Sequence, residues 1–217
     1  MQLTSLTFAD NEKIPERYAF ARVDEKSHVA LSDNWNPQFS WSDVPDGTQS
    51  FVLICVDLDA PSEGKDVNQE GREVPEDLAR VDFYHWTLIN ISAAAREIEE
   101  GTFSNGVTPR GKGGPLAALD TRQGINDYTG WFSADRDMNG GYFGYDGPCP
   151  PWNDARVHRY VFTLYALSVP ELDLEGAFTA KDALAAMKGS VLAEASVSGT
   201  YTLNPRLAPK QIGTTSA

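Results

Sequence analysis

Apolar residues run unbroken from Phe51 to Val56 and stop at Asp57-Leu-Asp59. A stretch that is apolar on both faces predicts a buried central strand. Side chains alternate along a strand, so Asp57 and Asp59 are expected on one face where it emerges. Two carboxylates placed there need hydrogen bonds or protons, although aspartate is also an ordinary turn residue. Pro61 ends the strand. Alternation predicts two further long strands. Over 83–91, His85, Thr87 and Ile89 face one way and Tyr84, Trp86 and Leu88 the other. Over 156–167, His158, Tyr160, Phe162 and Leu164 share a face, opposite Arg159, Val161, Thr163 and Tyr165. Shorter strands are expected over 2–8, 18–23, around Phe39 and Trp41, and over 197–203.

Helical spacing appears only late. Thr179 followed by Asp182 has the form of a capping box, Ala180, Ala183, Leu184 and Met187 recur on one face, and Gly189 stops the helix. Ser190 is expected to cap a second short helix over 191–195. Segment 63–80 is acidic with almost nothing to bury, and it reads as a solvated loop with a helical turn near 75–80. Residues 93–99 read as a linker or helical turn. Residues 101–147 are rich in Gly, Asn, Asp and Ser, and so long an irregular stretch marks function or mobility. Strands dominate and no βαβ rhythm occurs. The fold class is therefore mainly β, an antiparallel β-sandwich with short C-terminal helices. One domain spans 1–217, with the tail over 205–217 expected to fray.

Composition narrows the partners. The 217 residues carry a formal charge of −13, from 31 acidic and 18 basic residues, which disfavours nucleic acid and anionic membrane surfaces. Cys55 and Cys149 are too few for a disulfide framework, so free thiols and a cytoplasmic, reducing location are expected. The first residues lack a positive start and a long apolar core, so no signal peptide is expected. No run approaches the length of a membrane-spanning helix, so no membrane insertion is expected.

Several chemistries compete. If the central strand pairs near both long strands, Asp57, Asp59, His85, His158 and Tyr160 converge. A single histidine on a strand is more often a satisfied core residue. Two carboxylates and two histidines suit Zn or Fe, but no His-x-His or His-Glu-x-x-His spacing occurs. Neither a Gly-x-Ser-x-Gly elbow nor a phosphate loop is present. Gly111-Lys-Gly-Gly114 reads as a flexible loop, with phosphate binding as a minor alternative. Cys149 is a nucleophile only if a histidine lies close; an inert thiol is the commoner case. No cofactor motif is found.

The motifs Asp57-Leu-Asp-Ala-Pro61, His85-Trp86, Gly147-Pro-Cys-Pro-Pro151 and His158-Arg-Tyr160 occur in an order that resembles the phosphatidylethanolamine-binding protein family, in its bacterial Raf-kinase-inhibitor-like branch. The resemblance continues through Asn36-Pro-Gln-Phe-Ser-Trp41, Gly124-Ile-Asn-Asp-Tyr128, Leu184-Ala-Ala-Met-Lys-Gly189 and Gly199-Thr-Tyr201, and so covers roughly residues 3–203. It implies a sandwich with a small anion-binding cavity, lined by Asp57, Asp59, His85, His158 and Tyr160. The rim would be Gly147, Cys149 and Pro151. A cis bond at Ala60–Pro61 is implied too. Leu58 stands where the family has proline, and 63–80 and 131–141 look like insertions beside the site.

The function expected from this is a non-enzymatic binding protein for a phosphate or phospholipid-headgroup-like anion, able to modulate a partner of the kinase or protease class. The alternative is a hydrolase using Asp57, Asp59, His85 and His158, with or without a metal. A homodimer is compatible with either, but no face for it is specified. In an anion pocket the aspartates would act on the histidines: Asp57 would orient an imidazole whose second nitrogen donates into the cavity.

Overall fold

The computed structural model describes residues 1–207. Its strands are β1 (Gln2–Thr4), β2 (Glu12–Lys13), β3 (Ala21–Asp24), β4 (His28–Leu31), β5 (Phe39–Ser42), β6 (Ser50–Pro61), β7 (Arg80–Ser92), β8 (Glu97–Ile98), β9 (Arg122–Gln123), β10 (His158–Leu167) and β11 (Val191–Tyr201). The α-helices are α1 (Tyr128–Trp131) and α2 (Ala180–Ala186). A large sheet of order β2-β11-β10-β6-β7-β9 packs against a small sheet of order β1-β5-β8, and β3 and β4 form a separate hairpin. Every pairing is antiparallel except β2 with β11.

The unbroken apolar run explains the layering. Phe51, Leu53 and Cys55 of β6 point to the main core, where Phe162 and Leu164 of β10 meet Leu3, Phe39, Trp41 and Ile98 of the small sheet. Val52 and Ile54 point the opposite way, onto Ala180, Ala183 and Met187 of α2. Both faces of β6 are therefore buried, as its sequence predicts. Helix α2 starts at the expected capping box: Thr179 Oγ1 accepts the Asp182 amide, while Asp182 accepts the Thr179 amide at 2.8 Å.

Several expectations are corrected. Residues 191–195 are not helical but open β11. Gly189 turns the chain at φ +87°, and Val191 then falls beside Leu167 on β10. Val191 and Leu192 remain exposed, so their helix-like spacing buries no face. The C-terminal helical part is α2 alone among the described residues. Residues 93–99 contain β8, which pairs with Phe39 and Ser40. Tyr18 lies in a 3-10 turn, so the second expected strand begins at Ala21. Ala60–Pro61 is trans, and a cis bond lies at Gly114–Pro115. The chain stays extended through Pro61, which pairs with Arg80 on β7. Residues 205–207 form a turn closed by the Leu207 amide on the Asn204 carbonyl, and the rest of the expected frayed tail lies outside the described residues.

Two bulges aim the site. Cys55 pairs with Trp86 and Val56 with Tyr84, so His85 is the extra residue on β7. This turns His85 to the same side as Trp86, against the alternation expected for them. Asp57 pairs with Phe83 and Ala60 with Val81, which inserts an extra residue into β6 between Asp57 and Ala60. Asp57 and Asp59 consequently part company. Among the described residues no helix is long and apolar enough to cross a membrane.

Candidate functional site

His158 opens β10 and is buried. Its Nδ1 lies 2.7 Å from Asp57 Oδ2 and its Nε2 3.0 Å from Asp154 Oδ2. Two carboxylates facing the two ring nitrogens require both nitrogens to be donors, which is the imidazolium. Burial alone would lower the His158 pKa. The charge of Asp57 and the hydrogen bonds to Asp154 and Asp57 outweigh it and push the pKa up to about 9. Asp57 holds one ring nitrogen, and the second meets Asp154 rather than the cavity. Asp154 is in turn gripped by both terminal nitrogens of Arg80, at 2.6 and 3.0 Å. The remaining Arg80 donors go to the carbonyls of Asp59, Pro75 and Leu78. Burial would raise the Asp154 carboxyl, but the bonds from His158 and Arg80 hold it below its usual value. The result is a closed, charge-balanced chain, Asp57–His158–Asp154–Arg80.

His85 is built differently. Its Nδ1 lies 2.7 Å from the Asp146 carbonyl oxygen, which can only accept, so Nδ1 carries the proton. In the neutral ring Nε2 is then the bare nitrogen. Burial pushes the His85 pKa below its usual value, against the pull of the Asp57 charge. The ring is wedged between Phe83, Tyr128 and Tyr160, with centroids 5.0–5.4 Å away. Behind it, the buried Asp146 carboxylate accepts Asn34 and Asn126 at 2.8 Å each and Lys112 at 2.6 Å. The glycine-rich 111–114 segment thus delivers a structural lysine rather than a phosphate loop.

Tyr160 lies against the His85 ring and pairs with Asp57 across the ladder. Its hydroxyl is buried with no hydrogen-bond partner among the described residues, and burial holds its pKa well above the usual tyrosine value. An unpaired buried hydroxyl costs about 1–3 kcal/mol, which a water or a ligand accepting its proton would recover. Cys149 lines the same space, and burial pushes its thiol up to about 12, the wrong direction for a nucleophile.

Two of the expected site residues lie elsewhere. Asp59 turns away beyond the bulge. It accepts the Arg159 amide at 3.0 Å, Arg159 Nε at 3.1 Å and Arg156 at 3.2 Å. Burial would raise its pKa, and these bonds hold it below the usual range. Gly147 is a packing residue. Its amide donates to Asn34 Oδ1 at 2.8 Å, and a Cβ there would lie 2.0 Å from the Tyr18 carbonyl oxygen. Residues 148, 150 and 151 are prolines, so Cys149 has the one remaining amide of that rim segment. Among the described residues it has no acceptor.

Asp57, His85, Cys149, Pro151, His158 and Tyr160 do converge, on a cavity of about 380 Å³. Both suspected insertions reach it. Asn68 comes from 63–80, and Trp131, Phe132 and Met138 come from 131–141. Segment 63–80 is irregular but anchored: Asn153 Nδ2 donates to the Asp66 and Arg72 carbonyls, and Val74 is buried. His28 ties the β3–β4 hairpin over it, stacking on Trp152 at 3.9 Å and meeting Glu70 at 2.6 Å. No Lys or Arg lines the cavity among the described residues, and none of their His, Cys, Asp and Glu groups is arranged to hold a metal ion. Asp154, Arg80, Asp146, Asn34 and Asn126 were not predicted from sequence. The one available signal was Asp154, four residues before His158.

A β-sandwich with a small cavity at one end, floored by histidine, tyrosine and aspartate, defines a ligand-binding class of fold. The family described as phosphatidylethanolamine-binding protein matches residues 4–202, and the chain belongs to that family. It is 34% identical to a UPF0098 protein of Methanothermobacter thermautotrophicus, over 93% of this chain and 98% of the relative. It is 30% identical to UPF0098 protein YbhB of Escherichia coli, over 81% and 83%. The crystal structure of the phosphatidylethanolamine-binding protein homolog CT736 of Chlamydia trachomatis superposes with TM-score 0.62 at 29% identity, covering 92% of this chain and 95% of that one. Escherichia coli YbcL shares the fold, with TM-score 0.65 at 24% identity over 93% and 97%.

Proposed function

We propose that this binding protein takes a phosphate-type oxyanion at the closed, polar end of its cavity. The observation that carries the reading is the Tyr160 hydroxyl, buried without a partner beside His85. An oxyanion there would accept from Tyr160 and from the free amide of Cys149. It would also accept from His85 Nε2 once that nitrogen is protonated. Among the described residues no Lys or Arg lines the cavity to offset the anion's charge, and His158 is already neutralised by its two carboxylates. The anion must therefore gather a proton. It enters with His85 protonated or brings a proton that passes to His85 Nε2, and binding weakens as pH rises. The two free thiols fit a cytoplasmic setting. Modulation of a partner protein would act through the rim that the ligand completes.

Calorimetric titration of inorganic phosphate into wild type and Tyr160→Phe, at pH 6 and pH 8, tests this. A hydrogen bond to a charged group contributes about 1.5–3 kcal/mol, so loss of the hydroxyl should weaken binding about tenfold or more. Wild-type affinity should also be lower at pH 8. Equal affinity at both pH values, or unchanged binding by Tyr160→Phe, would overturn the proposal.

A further inference from the structure

The cavity is far larger than its polar end. Apart from Asn68, the polar lining groups Asp57, His85, His158 and Tyr160 cluster on adjacent β6, β7 and β10. Leu31, Trp131, Phe132 and Met138, with Val81 and Phe83 of β7, supply the apolar lining, and outside the cluster the polar groups that line the cavity are Asn68, the Cys149 thiol and the Trp131 indole N–H. Leu31, Val81 and Trp131 line the cavity and yet remain 58%, 47% and 51% exposed. Phe132 is held in place by a stack on Tyr128 at 5.5 Å, which itself stacks on Phe20 at 4.8 Å. The apolar wall is therefore preformed, and it is supplied largely by the chain's own segment 131–141.

From this we infer that the ligand is a free small amphiphile, a phosphate-type monoester whose body is an aryl or short alkyl group lying against Trp131, Phe132 and Met138; the inference rests on the oxyanion reading above. A sugar or glycerol body would leave most of its hydroxyls unpaired against Leu, Val, Phe and Met, with Asn68 the one amide side chain in the lining, and unpaired polar groups are strongly disfavoured in such a site. A volume of about 380 Å³ falls in the range that encloses a compact organic ligand, and two acyl chains would overfill it. The cavity's shape thus selects for the body, while its floor selects for the head.

The test is calorimetric titration of inorganic phosphate, glycerol 1-phosphate and phenyl phosphate into wild type and Trp131→Ala at pH 6. Pelleting with phosphatidylethanolamine vesicles forms a separate arm. Phenyl phosphate should bind about tenfold or more tighter than either other anion, the effect of burying about two methylene-sized groups. That ratio should shrink several-fold in Trp131→Ala, which loses an exposed side chain and should fold normally. Equal binding of all three anions by wild type would overturn this inference and leave the oxyanion reading intact. Absence of binding by all three would overturn both. Pelleting of the protein with the vesicles would overturn the choice of a free ligand over a lipid.

Discussion

Replacing His158 with Gln removes the imidazolium that stands between the buried carboxylates of Asp57 and Asp154. In the folded protein this ring has a pKa of about 9, because Asp57 and Asp154 outweigh the opposing effect of burial. In the unfolded chain it titrates near 6.5. A raised folded pKa contributes stability that is complete below pH 6.5 and lost as pH rises through 9. At 1.36 kcal/mol per pKa unit, the contribution below pH 6.5 is about 3 kcal/mol. Between the two values the folded state holds one extra proton, so unfolding free energy should fall by a little over 1 kcal/mol per pH unit. His85 does not blur this window. Its lowered pKa contributes stability that is present above pH 6.5 and lost only below it. The thiols of Cys55 and Cys149, raised by burial, add a decline only near pH 9, and they are common to both proteins. Urea unfolding at half-unit steps from pH 6.5 to 8.5 is the assay. His158→Gln should be less stable by about 3–5 kcal/mol at pH 6.5. The gap to wild type should then narrow by about 2 kcal/mol between pH 7.0 and 8.5. A gap that stays constant, or a wild-type stability that rises over this range, would refute the claim that His158 is held charged.

Other perturbations separate scaffold from site. Tyr160→Phe deletes a buried, unpaired hydroxyl, so chemical denaturation should show unchanged stability or a gain of up to about 1 kcal/mol, even as phosphate affinity drops. Gly147→Ala drives a Cβ to within 2.0 Å of the Tyr18 carbonyl oxygen, and thermal melts should register a loss of more than about 2 kcal/mol. Arg80→Met strands Asp154 and frees the end of segment 63–80. Stability should fall by about 3–5 kcal/mol, and hydrogen exchange should quicken over 75–80.

What could be read from sequence was what regular patterns encode. The apolar run of β6, the alternation of β10 and the 3.6-residue spacing of α2 each name a buried face, and each lies where its pattern predicts. What could not be read depends on broken periodicity. An extra residue at His85 moves that ring to the face of Trp86, and an extra residue after Asp57 sends Asp59 toward Arg156 and Arg159. Alternation carries no sign of a bulge. Many of the partners that tune the histidines come from far away in the chain: Arg80 opens β7 at the end of the acidic segment, and Asn34, Lys112 and Asn126 meet Asp146 across separate turns. Long-range pairing of this kind leaves no local spacing to detect. Residues 191–195 were misread because Val, Leu and Ala suit both a helix face and an edge strand, and the chain reversal at Gly189 decides between them.

The central claim is that His85, with its Nδ1 proton fixed on Asp146, meets the ligand through Nε2 beside Tyr160. Nitrogen NMR of the histidine side chains during a phosphate titration at pH 7 addresses it directly. The account predicts a neutral His85 ring with bare Nε2 in the free protein, converting to a ring protonated on both nitrogens at saturation, while His158 stays doubly protonated throughout. A His85 spectrum indifferent to phosphate, with changes confined to His158 or to neither ring, would contradict it.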